Sequence, residues 1–283
     1  MIMVDWATYV QLLALVQNSI IAAAILGIVG GLIGVFVMQR DMAFAVHGIS
    51  ELSFAGAAAA LLLGINVVAG SLVGSLLAAA LIGLLGARAR DRNSIIGVLM
   101  PFGLGLGILF LALYPGRSGN RFGLLTGQII SVDLPQLGLL ITISLLVLVV
   151  LLLVWRPLAF DSLDPEVAHA RGVPGRALSL VFMVLLGLAV AVSVQVIGAL
   201  LVLALLVTPA AAALRVSSSP VLVPVFSMLF GFVSAVGGIL LAIGGSLPIS
   251  PYITTISFAI YVVCRIVGSR RLSATSGRTL VAR

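Results

Sequence analysis

Apolar runs follow one another along almost the whole chain, separated by short polar breaks. They fall at roughly 14–38, 43–64, 66–87, 94–114, 133–155, 176–193, 195–213, 221–244 and 249–268. Each is about 20 residues long, the length at which a helix rising about 1.5 Å per residue crosses a hydrocarbon core about 30 Å thick. The runs carry almost no polar face with which a soluble helix would meet water. In lipid, backbone hydrogen bonds are satisfied within helices or closed barrels, and runs of about 20 apolar residues have the length of helices. The pattern predicts an all-α, polytopic membrane protein, organised as a single domain over 1–283. The split between two of the runs, at Ser193-Val194-Gln195, is the weakest break, so eight or nine spans are both open.

Small residues recur at helical spacing. Gly27 with Gly31, Gly30 with Gly34, and Gly70 with Gly74 form small-xxx-small faces that let helices approach closely. Gly103, Gly105 and Gly107 do not fit G-x-G-x-x-G and lie inside a span, so they read as packing and not as a nucleotide loop.

Two stretches interrupt the apolar pattern at length. Tyr114 to Gly123 is turn-rich and reads as an external loop. The segment from Trp155 to Arg176 is the longest polar one. Within it, Asp164 is placed to cap a short helix, Pro165 to open it and Gly172 to end it. A capped helix on a loop (about 156–175) is more structure than a connector needs, and it reads as a docking surface.

Composition sharpens the picture: 62% of the residues are hydrophobic and 8% are charged, with a mean hydropathy of +1.33. All 15 basic residues are arginine. Without lysine, the G-x-x-x-x-G-K-[ST] phosphate loop cannot exist in this chain, nor can a Schiff-base lysine. Any use of ATP therefore needs a partner.

The net charge of +7 does not point to nucleic acid, because the arginines sit in short loops and in the tail (about 269–283). Arg40, Arg88, Arg90, Arg92, Arg156, Arg171, Arg176, Arg215 and the tail arginines fall on one side of a nine-span path, and Arg117 and Arg121 on the other. The positive-inside rule then predicts the N-terminus outside and the C-terminus inside. The lone Cys264 reads as a small helix residue. Asp5 is the only charge before the first run, which argues against a cleaved signal peptide.

One span carries ionisable groups. His47 and Glu51 are four residues apart, on one helix face. Counting from Met42, they lie roughly 8 Å and 14 Å deep, which brings Glu51 near the midplane. Such groups in hydrocarbon normally face a bundle interior or a path for ions. An imidazole and a carboxylate can ligate a transition metal, and two ligands suit an ion that must leave again. The plain alternative is a structural pair in which His47 donates to Glu51. Ser50 is placed to bond Glu51 or a water. His169 sits in the polar loop and reads as an interface residue, while Gln195 and Thr208 read as interhelical hydrogen-bond partners.

Several motifs resemble those of the membrane permeases of ATP-binding-cassette importers for manganese, zinc and iron. Arg40 to Gly56 is similar to R-x-x-A-x-x-G-D-A-x-S-H-A-x-x-x-G, and Gly127 to Asp133 to G-S-I-L-x-V-S-x-x-D. Phe160 and Asp161 through Val173 and Pro174 resemble F-D-P-E-x-A-x-x-x-G-V-P. Val194 to Ala211 resembles V-Q-V-V-G-x-L-L-V-x-A-L-L-V-x-P-A-A. The motifs run in family order over nearly the whole chain.

The resemblance implies a metal-importer permease fold in a bacterial cytoplasmic membrane, with no permanently bound cofactor and no catalysis by the chain itself. Implied partners are a cytoplasmic ATPase, an external metal-binding protein, a second permease copy and membrane lipid, with no nucleic acid. His47 and Glu51 would meet the divalent ion in transit. Asp161, Asp164, Glu166, Arg171 and Gly172 would form the ATPase-docking loop. Where the family commonly has Asp and then His, this chain has His and then Glu. A rival function is a gradient-driven secondary transporter with Glu51 as the proton or ion carrier. A metalloprotease of the H-E-x-x-H type is excluded by the absence of that motif.

Overall fold

The computed structural model describes residues 6–86, 89–115, 132–243 and 249–281. The turn-rich loop with Arg117 and Arg121, expected to be external, lies outside the described residues, together with Arg88 and the segment from Gly127 to Ser131. The described residues form helices: α1 (Trp6–Leu15), α2 (Gln17–Gln39), α3 (Ala43–Leu63), α4 (Val67–Leu85), α5 (Ala89–Leu113), α6 (Leu134–Leu163), α7 (Pro165–Ala170), α8 (Gly175–Ile197), α9 (Ala199–Leu206), α10 (Thr208–Val216), α11 (Leu222–Ile243) and α12 (Ile249–Val281). Among them, eight are long and apolar enough to cross a membrane: α2 to α6, α8, α11 and α12.

The helices end where the local chemistry stops them. Gly64 takes φ 68° and closes α3, and the Asn66 side chain accepts from the backbone N–H groups of Val68 and Ala69 to open α4. Asp133 caps α6 in the same way, with its carboxylate accepting from the N–H of Gln136 at 2.7 Å.

Close packing uses the glycines that the spacing singles out. A Cβ on Gly27 would lie 2.6 Å from the Gly231 carbonyl oxygen, and one on Gly31 2.5 Å from that of Ser227. These contacts, four residues apart on both helices, run α2 antiparallel to α11. Gly70 and Gly74 meet Gly56 and Leu52 in the same manner, pairing α3 with α4. Gly103 abuts the backbone of Glu51 and Leu52, and Gly107 lies against the Phe54 ring.

A ladder of polar bonds joins α4 to α8, again at steps of four. Ser75 Oγ donates to the Gly187 carbonyl, Ser71 Oγ to that of Ala191 at 3.5 Å, and Gln195 Nε2 to that of Val67 at 3.5 Å. Side-chain hydroxyls inside an apolar bundle need such partners, and backbone carbonyls supply them. The interhelical role expected for Gln195 holds.

The apolar run at 195–213 is not one helix. Its first residues complete α8. At Gly198 the backbone takes φ 82° and ψ 158°, and the chain then continues as α9 and α10, joined at Val207. Thr208 opens α10. Gly30 lies against Leu206, and Gly34 against Leu206 and Ala210, so α9 and α10 run parallel to α2. The carbonyl of Arg215, near the end of α10, reaches Gly268 of α12. These two short helices together make a traverse of the bundle between α8 and α11. The start of α2 and the Gly268 end of α12 therefore lie at opposite ends of the bundle.

The interior is built on α2, α3 and α8, which hold fully enclosed residues such as Ile33, Phe36, Ile49, Phe54 and Phe182. Outer helices expose Leu77, Val98, Phe102, Leu145 and Leu152, the apolar exterior of a protein solvated by lipid.

Candidate metal-transit site

α3 starts from a tight turn. Arg40 caps α2, Asp41 adopts a positive φ of 51°, and the Met42 N–H donates to the Val37 carbonyl at 2.8 Å. A positive φ at a non-glycine residue is uncommon, and aspartate is among the residues that tolerate it. The turn fixes where α3 begins, and so the face on which His47 and Glu51 sit.

His47 Nε2 and Glu51 Oε1 lie 3.5 Å apart. The His47 side chain is 27% exposed and that of Glu51 only 3%, so the pair runs from an accessible imidazole to an enclosed carboxylate. His47 Nδ1 and Glu51 Oε2 are buried without a hydrogen-bond partner. Buried polar atoms are normally satisfied, and each orphan calls for an explanation. Two ligand bonds of about 2.1 Å to one tetrahedral ion would set their donors about 3.4 Å apart, so the observed separation suits a shared cation. Of the two partners open to Ser50, Glu51 or a water, Glu51 is not the one bonded: the hydroxyl donates to the His47 carbonyl at 2.8 Å, one turn back. Among the described residues, no third His, Cys, Asp or Glu joins the pair.

A second polar centre lies at the end of the bundle where α3 begins. Arg40 Nη2 donates to Asp161 Oδ2 at 2.8 Å, and Arg40 Nη1 to Ser162 Oγ at 3.2 Å. Arg92 Nη2 donates to the Arg40 carbonyl at 3.1 Å. A cavity of about 910 Å³ opens beside them, lined by Arg40, Asp41, Arg92, Asp161, Ser162 and Arg176 among others. Asp161 thus stands apart from the other predicted docking residues, being buried and paired internally. Arg40 and Asp161 are 121 residues apart, and no local pattern joins them.

The capped loop helix forms as its residues predict. Asp164 Oδ1 accepts from the Val167 N–H at 3.1 Å, Pro165 opens α7, and Gly172 follows its end at φ 80°. Ala168 is buried against the bundle, which anchors α7, while Asp164, Glu166, His169, Arg171 and Gly172 are exposed.

A helical bundle with an apolar exterior, in which eight of the described helices are long and apolar enough to cross a membrane, is a multi-pass membrane protein. The ABC 3 transport family model matches residues 13–268, and the chain belongs to that family. The chain is 33% identical over 235 residues to the manganese import system permease protein ScaB of Streptococcus parasanguinis, covering 83% of each. It is 30% identical over 224 residues to the manganese transport system membrane protein MntC of Halalkalibacterium halodurans, covering 79% of this chain and 77% of that one. Its fold matches a chain of PsaBC from Streptococcus pneumoniae in complex with Fab at a TM-score of 0.82 and 26% identity, over 92% of this chain and 95% of that one. An inward-facing metal-chelate type ABC transporter matches at a TM-score of 0.72 and 19% identity, over 87% and 85% of the two chains, a likeness of fold alone.

Proposed function

We propose that this chain is the membrane permease of an ATP-driven importer that carries a divalent transition-metal ion into the cytoplasm. His47 and Glu51 are the residues the ion meets in transit. The observation that carries this reading is the pair on α3, whose Nε2 and Oε1 stand 3.5 Å apart, a spacing that one ion can bridge. Manganese is the first metal to test, because ScaB and MntC are named for it; an imidazole and a carboxylate also accept zinc and iron.

The whole of 1–283 serves as one permease domain. It pairs with a second copy, two cytoplasmic ATPases and an external metal-binding protein that delivers the ion, with lipid around it. The arginine-rich end of the bundle faces the cytoplasm, so the start of α2 is outside and the end of α12 inside. Asp164, Glu166, Arg171 and Gly172 lie on the surface that docks the ATPase. ATP hydrolysis belongs to that partner, as the missing lysine requires.

The test is metal uptake into liposomes holding the permease and its ATPase, with the external binding protein added. Uptake of manganese that needs ATP and all three proteins is the expected result. Uptake by the chain alone, driven by a proton gradient, would overturn it in favour of a secondary transporter.

A further inference from the structure

Arg40 joins three parts of the fold. Its guanidinium holds Asp161 and Ser162 at the end of α6, where the polypeptide turns into α7. Its carbonyl accepts from Arg92 at the start of α5. Its own backbone begins the turn that ends at α3, and His47 lies seven residues further on, about 10 Å at helical rise.

The ion pair is enclosed, with side-chain exposures of 12% for Arg40 and 9% for Asp161. Two donors on a planar guanidinium fix orientation as well as distance, and a buried pair does not exchange partners with water cheaply. The surrounding packing keeps it in place. A Cβ at Gly175 would lie 2.7 Å from Asp161 Oδ1, so glycine is what lets the carboxylate sit against the start of α8. The Arg40 guanidinium lies 5.8 Å from the Phe182 ring centroid, and Phe36 packs edge-on against Trp155 and Phe182 below it. On the other side lies the cavity of about 910 Å³, so Arg40 ties the last turn of α6 to α2 across its rim, while Leu158 one turn back is packed in the core.

We propose that Arg40 is a positioning residue: through Asp161 it makes the loop that carries α7 and the turn that starts α3 move as one piece. A partner that pulls on α7 thereby shifts His47 and Glu51. The inference rests on the reading in which an ATPase docks on α7. It adds the route by which that docking reaches the metal pair.

The experiment uses the full permease assembled with its ATPase. Amide hydrogen exchange is followed at 41–50 and at 164–172, with and without a non-hydrolysable ATP analogue. In the wild type both segments should respond to nucleotide. In Arg40→Gln, and separately in Asp161→Asn, the response at 164–172 should persist while that at 41–50 is lost. Metal taken up per ATP hydrolysed should then fall about tenfold, with the ATPase rate retained. The double variant Arg40→Asp with Asp161→Arg should recover part of the coupling. A response at 41–50 that survives in both single variants, or is absent in the wild type, overturns the proposal. A wild type that shows the exchange response but no ATP-dependent metal uptake removes the importer reading and leaves the strut standing.

Discussion

His47 Nε2 and Glu51 Oε1 face each other across 3.5 Å on successive turns of α3, and each side chain keeps its second polar atom buried and unbonded. If the pair meets the ion, Glu51→Ala and His47→Ala should each lower metal uptake at least about tenfold at normal protein levels, the size of loss that follows disturbance of a metal site. Uptake assays of the reconstituted complex decide it. Wild-type rates in both variants would leave the pair with a structural role.

The chemistry of the pair should also set preference among metals. Glu51→His replaces an oxygen donor with a second imidazole, which suits zinc better than manganese. Competition between the two ions should shift toward zinc by about tenfold or more. An unchanged ratio would mean that selectivity is decided elsewhere, for instance at the external binding protein.

Stability should depend sharply on the α2–α11 seam. Gly31→Ala places a methyl group 2.5 Å from the Ser227 carbonyl oxygen, which leaves no room without moving a helix. Overpacking of this kind costs about 1–3 kcal/mol, so the variant should unfold at lower temperature in detergent. Gly138→Ala on α6 meets nothing within 4 Å and serves as the control, with little change expected.

The break between α8 and α9 makes a different demand. Gly198 holds φ 82° and ψ 158°, a region open to glycine and strained for any residue with a Cβ. Gly198→Ala should destabilise the protein by about 1–3 kcal/mol, or straighten the backbone and displace α9 from Gly30 and Gly34. Thermal unfolding, with disulfide trapping between α2 and α9, separates these outcomes. No effect on either would mean that the break is not required.

Docking should respond to the α7 cap. Asp164→Ala removes the acceptor for the Val167 N–H, and losing such a cap costs about 1 kcal/mol. Affinity for the ATPase should weaken by about fivefold, with Asp164→Ser close to wild type. Equal affinities across the series would place the contact outside α7.

Much of this molecule follows from local rules that a sequence carries openly. Apolar runs of membrane length set the helices. Arginine without lysine excludes a nucleotide loop, and Asp164, Pro165 and Gly172 set the capped helix where they predict it. The four-residue spacing of His47 and Glu51 is enough to place them on one face, because helical periodicity is a property of the backbone. Other features needed the tertiary structure. The run at 195–213 has the composition of a span, yet it divides at Gly198 and Val207, since hydropathy is blind to a backbone dihedral angle. The seam at Gly31 and Ser227, and the ladder from Ser71 and Ser75 to α8, depend on which helices are neighbours. Arg40 and Asp161 meet only because α2 and α6 end at the same face of the bundle. Local preferences are encoded within a turn or two of chain, whereas the partners of a buried charge are chosen by packing between helices far apart in sequence.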